Sequence, residues 1–293
     1  MGALSVVKSA LRGLGLDSHA LYQAISARSL RAAVRAQGLD PLCDRLRAVL
    51  PDLRDQYTAG FDDTEYERYW EIKMRALHAW QVRCVQEALD HIGGDGLVIA
   101  DIGDSSGNHA TYIKALTRPG QVDRVVSVNL DPVAVEKVRK KGGEAILSRA
   151  EELDLAGLTP DLFLSFETVE HLTDPVRFFH WLATRGSAEY LLITVPYRRR
   201  SRFGGAHLRM AEEIMPEKLT AEEVHIYEFC PDDWRLLARF GGYRTVFSRL
   251  YLQYPRFGLL RLAAPLWRWR DFEGFLALFL QRDLSLADRY TDW

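Results

Sequence analysis

Apolar positions along the chain change their period once, near Gly96. Before it they recur at helical spacing: Leu21, Ile25, Leu30 and Val34 form one stripe, ended by Gly38 and Pro41. Residues 63–91 read as one longer helix, with Asp63 as its cap and Gly93-Gly94 as its stop. Tyr66, Tyr69-Trp70, Met74, Leu77 and Val85 give it an apolar face. After Gly96 short apolar runs alternate with helical stretches. Leu97–Ile102, Arg124–Asn129, Glu144–Leu147, Asp161–Phe166 and Tyr190–Val195 read as strands, and Asn108–Leu116, Pro132–Lys141 and Pro175–Ala183 as the helices between them. That alternation predicts a parallel sheet with helices on both faces. About 33 polar, loop-like residues follow Pro196. A helix at Pro231–Phe240, stopped by Gly241-Gly242, then leads to strands at Thr245–Leu252 and Phe275–Arg282. The expected organisation is a helical N-terminal arm over residues 1–95 and one α/β domain over 96–293, with insertions at 197–229 and 254–270.

Composition narrows the class. The chain has 293 residues, 47% hydrophobic and 27% charged, as expected of a folded protein. A net charge of -2 argues against a nucleic-acid binder coated with basic charge. The cations are 31 Arg and 7 Lys, a bias that suits phosphate or carboxylate recognition and equally reflects genome composition. Residues 1–50 are basic, with seven Lys/Arg, among them Lys8 and Arg12, against three Asp. Cys43, Cys84 and Cys230 form no metal knuckle or disulfide framework, which fits a reducing cytoplasm. No run is apolar enough to span a bilayer, and no leader is visible, so a cytoplasmic location is expected. The insertion Tyr254–Arg270 pairs Leu259, Leu260, Leu262, Leu266, Trp267 and Trp269 with Arg256, Arg261, Arg268 and Arg270. Two readings stand for it: a lid on the N-terminal helices, or a peripheral membrane contact. Either suits a bulky or partly apolar partner molecule.

The most informative stretch is Asp101-Ile102-Gly103-Asp104-Ser105-Ser106-Gly107. A strand running into small residues and then a helix lets backbone approach a ligand at the carboxyl edge of the sheet. The spacing is not that of a dinucleotide fingerprint, and no Walker lysine is present. Here the chain resembles the class I S-adenosylmethionine-dependent methyltransferases, whose first motif is Asp/Glu-x-Gly-x-Gly-x-Gly. The resemblance implies that Asp101, Gly103, Ser105 and Gly107 hold the methionine part of the cofactor. It implies ribose contacts from Asn129 and Asp131, where the family carries an acid at the strand end, and a contact from Glu151 in the third region. Ser105, Asn129 and Arg149 depart from the family pattern on that side.

Farther on, Glu167-Thr168-Val169-Glu170-His171-Leu172 matches the family's Glu-x-x-Glu-His-Leu tail, and the likeness extends through Thr194-Val195-Pro196 and His225-Ile226-Tyr227-Glu228. One helical turn would put Glu167, Glu170 and His171 on one face. Two carboxylates and an imidazole can hold a divalent cation, with His225 or His207 as a fourth ligand. That set resembles the metal site of ubiquinone-pathway O-methyltransferases and of small-RNA 2′-O-methyltransferases. Such a cation, Mg or Mn by its oxygen-rich ligands, would lower the pKa of an acceptor hydroxyl. Without metal, His171 is the first candidate for general base and His225 the second. Arg198, Arg199, Arg200 and Arg202 lie at the lip of the expected acceptor pocket, as an anion clamp or as a solvated loop.

The resemblance covers roughly residues 97–283. It implies a Rossmann-like, doubly wound, seven-stranded sheet with its last strand antiparallel, plus a helical N-terminal extension. It also implies a cytosolic methyltransferase acting on a hydroxyl of a small-molecule, saccharide or lipid-linked acceptor. The alternatives are an RNA-end 2′-O-methyltransferase and a non-catalytic relative that binds a partner through its Trp/Arg insertion.

Overall fold

The computed structural model describes residues 18–56, 62–220, 224–255, 258–269 and 273–293, with backbone only at Ser18, Leu260, Ala263, Leu266, Trp267 and Trp269. Lys8, Arg12, Arg256 and Arg270 lie outside the described residues. The described residues begin with two helices, α1 (Ser18–Ala36) and α2 (Asp40–Val49), separated by Gly38 at φ +64°. Pro41, expected as a breaker, instead occupies the first turn of α2, where its missing N–H costs nothing. The long helix is present but interrupted: Asp63–Glu65 is α-helical, Tyr66–Trp70 is a π turn, and Glu71–Ile92 (α3) continues. Its cap is Asp62, whose carboxylate accepts from Glu65 N, and not Asp63.

The sheet contains β1 (Leu97–Ile102), β2 (Val122–Asn129), β3 (Glu144–Leu147), β4 (Leu162–Phe166), β5 (Tyr190–Pro196), β8 (Tyr243–Leu252) and β9 (Gly274–Arg282). Their order is β3-β2-β1-β4-β5-β9-β8. The first five run parallel, and β9 inserts antiparallel between β5 and β8, from Tyr190 opposite Gln281 to Pro196 opposite Phe275. Strand neighbours alternate between two cores, as the two-residue period requires. Leu162, Leu164 and Leu192 face α3 and α4 (Asn108–Leu116), while Phe163, Leu191 and Ile193 face α6 (Pro175–Arg185) and α7 (Pro231–Phe240). The helix α5 (Pro132–Lys140) joins β2 to β3.

Two segments expected as loop have structure. Arg202–Phe203 (β6) and Tyr227–Glu228 (β7) pair as a small antiparallel ribbon inside the first insertion. In the second, Tyr254 and Ala264, the latter opening α8 (Ala264–Trp269), pack with Ala27, Leu30 and Tyr69, which places the insertion on the N-terminal helices. Leu259 and Leu262 point outward, 85% and 78% exposed. Among the described residues no helix is long and apolar enough to cross a membrane.

The end of α2 is tied to α3 and α4 by a buried charge. Arg75 of α3 is fully enclosed and donates to the carbonyls of Leu46, Leu50 and Pro51, to Tyr112 Oη and to Glu71. Carbonyls left open at the end of α2 thereby find a donor. The chain after Pro51 is thus directed toward the turn that follows β1.

Candidate active site

The turn after β1 is saturated from within the chain. Asp104 is buried; its Oδ1 accepts from the amides of Ser106 (3.2 Å) and Gly107 (3.0 Å), and its Oδ2 from Ser127 Oγ (2.5 Å). Gly107, at φ +73°, then starts α4. Gly103 at φ +96° is required twice, since a Cβ there would lie 2.0 Å from Thr168 Oγ1. Gln56, unremarked in the sequence, covers the loop. Its carbonyl accepts from Ser105 Oγ (2.7 Å), and its side-chain oxygen accepts from Ser106 Oγ (3.2 Å) and Asn108 Nδ2 (2.7 Å). Lys141 reaches Asp55 and Ser106 O, and Lys137 reaches Asp55 O (2.8 Å). Ser105, a departure from the family glycine, is therefore the anchor of the 53–56 segment.

The other expected cofactor residues are also engaged. Asn129 Nδ2 donates to Asp104 O (2.9 Å) and its Oδ1 accepts from Asp131 N (2.8 Å), which leaves one N–H and one lone pair for a ligand. Asp131 caps α5 by accepting from Val133 N. Glu151 accepts from Thr173 and faces Arg149 at 3.8 Å. Asp101 differs: its Oδ2 is buried without a hydrogen bond, 3.8 Å from His109 Nδ1. Burial, then the Asp104 charge, hold its carboxyl well above the usual range.

Across the edge, the segment after β4 is not the helical turn expected. Glu167 takes φ +50°, and only Val169–His171 forms a 3-10 turn. Of the five candidate ligands, Glu170, His171 and His225 bring ligand atoms within 4.8 Å of one another; Glu167 and His207 are not in that group. Glu170 is fully buried and neither carboxylate oxygen has a hydrogen bond. Burial first, then the charges of Glu167 and Glu228, hold it well above the usual carboxylate range. His171 Nδ1 donates to Val224 O (2.9 Å), which leaves the ring's lone pair on Nε2, 3.8 Å from Glu170 Oε1. The ring of His225 stands edge-on to it at 4.8 Å.

The first insertion positions His225. Ile226 N bonds Glu170 O (2.8 Å), Gly205 N bonds His225 O (2.7 Å), and a Cβ at Gly205 would meet His225 Cβ at 2.9 Å. His225 Nδ1 donates to Glu228 Oε1 (3.0 Å). Burial would raise the Glu228 carboxyl, but hydrogen bonds from His225, Arg198 and Arg202 hold it at about 2, so it is ionised and only accepts. Sequence reasoning carried Glu228 only inside a motif string; a His-x-x-Glu spacing on a hairpin was the available signal. Three arginines of the loop after β5 are engaged within the chain. Arg198 and Arg202 are held by Glu228, and Arg199 by Glu273, which also binds Arg268 and Tyr254 Oη. Buried carboxylates spend these cations on fixing the insertions.

The strand order β3-β2-β1-β4-β5-β9-β8, with β9 antiparallel, is a Rossmann-like fold shared with solved methyltransferase structures. Residues 100–184 match the family described as a methyltransferase domain. Among solved structures, the methyltransferase chain from a complex with the Haloferax volcanii Trm112 methyltransferase activator is similar with TM-score 0.51 and 14% identity, over 72% of this chain and 94% of that one. A Galdieria sulphuraria structure described as a sarcosine dimethylglycine methyltransferase is similar with TM-score 0.50 and 13% identity, over 83% and 99%. At such identities the likeness is one of fold. No curated protein matches the chain.

Proposed function

We propose that the chain is an S-adenosylmethionine-dependent O-methyltransferase acting on a hydroxyl of a small-molecule, saccharide or lipid-linked acceptor. The observation that carries this reading is the fully buried Glu170, with both oxygens unpartnered, beside two imidazoles and across the sheet edge from the Gly103–Gly107 turn. Unsatisfied buried carboxylates cost free energy, so a site that keeps one is built to meet a ligand. On the cofactor side, the bare Asp101 oxygen and the remaining valences of Asn129 fit an ammonium and a ribose hydroxyl. When bound, the cofactor supplies an electrophilic methyl group on a sulfonium.

His225 takes the acceptor's hydroxyl proton at Nε2, and Glu228 stabilises the imidazolium through Nδ1 and fixes its orientation. His171, oriented by Val224 O, holds its lone pair toward the same centre. The donor set also fits a divalent cation. Glu170 offers oxygen, His171 and His225 offer Nε2, and both rings have their Nδ1–H held by an oxygen, as metal-bound histidines do. A cation there would polarise the acceptor oxygen and replace His225 as the means of lowering its pKa. Loss of turnover after exhaustive chelation and its return with Mn²⁺ would select the cation; unchanged turnover would leave His225 as the base.

The cofactor is tested first. S-adenosylhomocysteine at about 100 times its Kd stabilises by roughly 2.7 kcal/mol, a rise of a few degrees in Tm for a chain this long. No rise would favour the non-catalytic reading, for which Ser105 and its neighbours serve only to hold the N-terminal segment.

A further inference from the structure

The second insertion is packed on one side and open on the other. On its inner side Tyr254 and Ala264 pack with Ala27 and Leu30 of α1. Ser29 Oγ donates to Gln253 O (3.1 Å) and Gln37 Nε2 to Leu252 O (2.8 Å), which fixes α1 to the start of the insertion. Its outer side carries the 3-10 turn Leu259–Ala263, and in such a turn positions three apart lie in line. Leu259 and Leu262 are such a pair, and theirs are the two most exposed large apolar side chains among the described residues. A single exposed leucine is ordinary, whereas an aligned pair beside an exposed arginine, Arg261, is a patch. The charge around this patch has one sign. Neither α1 nor residues 254–270 contains an Asp or Glu, although these make up 40 of the 293 residues. Arg28, Arg31 and Arg35 of α1 are exposed like Arg261, and Arg28 and Arg31 directly follow the two residues that pack on the insertion. Among the described residues none forms an ion pair or hydrogen bond with these four guanidinium groups. Other surface arginines are paired, Arg54 with Asp63, Arg124 with Glu144 and Arg249 with Glu87, and Arg268 of the same insertion is held by Glu273.

We infer that this surface rests on a lipid bilayer bearing anionic headgroups. Leu259 and Leu262 enter the boundary between headgroups and acyl chains, and the arginines supply the attraction. Charges separated by less than a Debye length, about 10 Å, act on such a surface together without touching each other. The combination of residues selects the occupant. RNA would satisfy the arginines and leave both leucines in water. A second copy of the chain would cover the leucines and bring like charges together. An anionic bilayer meets both needs, because an interfacial segment presents apolar and basic groups side by side. The inference stands apart from methyl transfer. Its one consequence for the acceptor rests on the reading above: a chain held at a bilayer meets the lipid-linked acceptor among the classes proposed.

The test needs neither cofactor nor acceptor. The full chain is floated with vesicles of phosphatidylcholine alone, or with about 30% phosphatidylserine added, at low and at high salt. Binding to the anionic vesicles should exceed binding to the neutral ones at least about tenfold, and should fall as salt is raised. Leu259→Ser combined with Leu262→Ser should weaken it about a hundredfold, roughly tenfold for each leucine withdrawn. Arg261→Gln should weaken it about fivefold, the worth of one charge near such a surface. Both variants change only outward side chains and should keep the wild-type Tm, so lost binding is not lost folding. No binding, equal binding to both vesicle types, or binding that survives the double substitution overturns the inference. So does a wild-type dimer in vesicle-free sedimentation that the double substitution splits, because the leucines then belong to a second copy. A missing Tm shift with S-adenosylhomocysteine would overturn the methyltransferase reading and leave vesicle binding untouched, so the two failures are distinct.

Discussion

The two sides of the carboxyl edge satisfy their polar groups in opposite ways. On the cofactor side, Asp104, Ser105, Ser106, Asn108, Asn129 and Asp131 are all hydrogen-bonded within the chain, and a segment from another part of the sequence is laid over them. On the acceptor side, Glu170 has no hydrogen bond at either carboxylate oxygen, and Glu167 none at Oε1. The first arrangement fixes a backbone shape. The second keeps buried polar atoms open for something that arrives. Residue types do not separate the two, since both are rich in acids; the count of hydrogen bonds does.

Removing one acid from each side should therefore move stability in opposite directions. Asp104→Ala strands two backbone amides and the Ser127 hydroxyl, and should cost about 2–4 kcal/mol in urea unfolding. A loss under 1 kcal/mol would mean that the loop does not depend on it. Glu170→Leu replaces an unsatisfied buried carboxyl with apolar volume, and should raise stability by about 1–3 kcal/mol while abolishing methyl transfer. A destabilised Glu170→Leu protein would show that this carboxyl is structural. Gln56→Ala loses the contacts to Ser106 and Asn108 and should cost about 1 kcal/mol, with faster amide exchange confined to residues 53–56 and 103–108.

A further effect is read against pH. Burial pushes Glu167 up to about 8, against the hydrogen bond from Thr194 and the charge of Lys73. An acid whose folded pKa is raised binds more protons folded than unfolded, so its contribution is present below the unfolded value near 4.5 and lost as pH rises through about 8. The stability of the wild type relative to Glu167→Gln should fall across that window and then level off. A flat difference between pH 5 and 8 would show that burial does not raise Glu167, which would then be ionised across that range.

Much of this was legible in the sequence. Asn108–Leu116, Glu144–Leu147 and Pro231–Phe240 were expected with their observed ends, because a glycine, a strand-length apolar run or a helix-starting proline marks them locally. Other strands begin earlier than expected, β2 at Val122 and β8 at Tyr243, because pairing with β1 and β9 recruits polar residues that carry no period of their own. The positions of Glu170, His171 and His225 could be named, since motif order survives divergence. Gln56 could not be assigned a role, because it acts through contacts distant in sequence and a lone Gln on a polar stretch has no local signature; Glu228 had the His-x-x-Glu spacing, but its arginine partners lie 26 and 30 residues away. In the arginine cluster at 198–202 the charge was visible and the buried partners, Glu228 and Glu273, were not.

The place of β9 bears on how the chain is made. The strand that completes the sheet is the last to leave the ribosome, and it lies between two strands synthesised earlier. Until residues 274–282 emerge, β5 keeps an open edge of seven apolar-rich residues, and β8 has no strand to pair with. Domains generally fold as units during synthesis. Here the unit cannot close until its distal strand arrives, so a nascent chain stalled before residue 274 would expose the Tyr190–Pro196 edge, the kind of surface that recruits chaperones or other nascent strands.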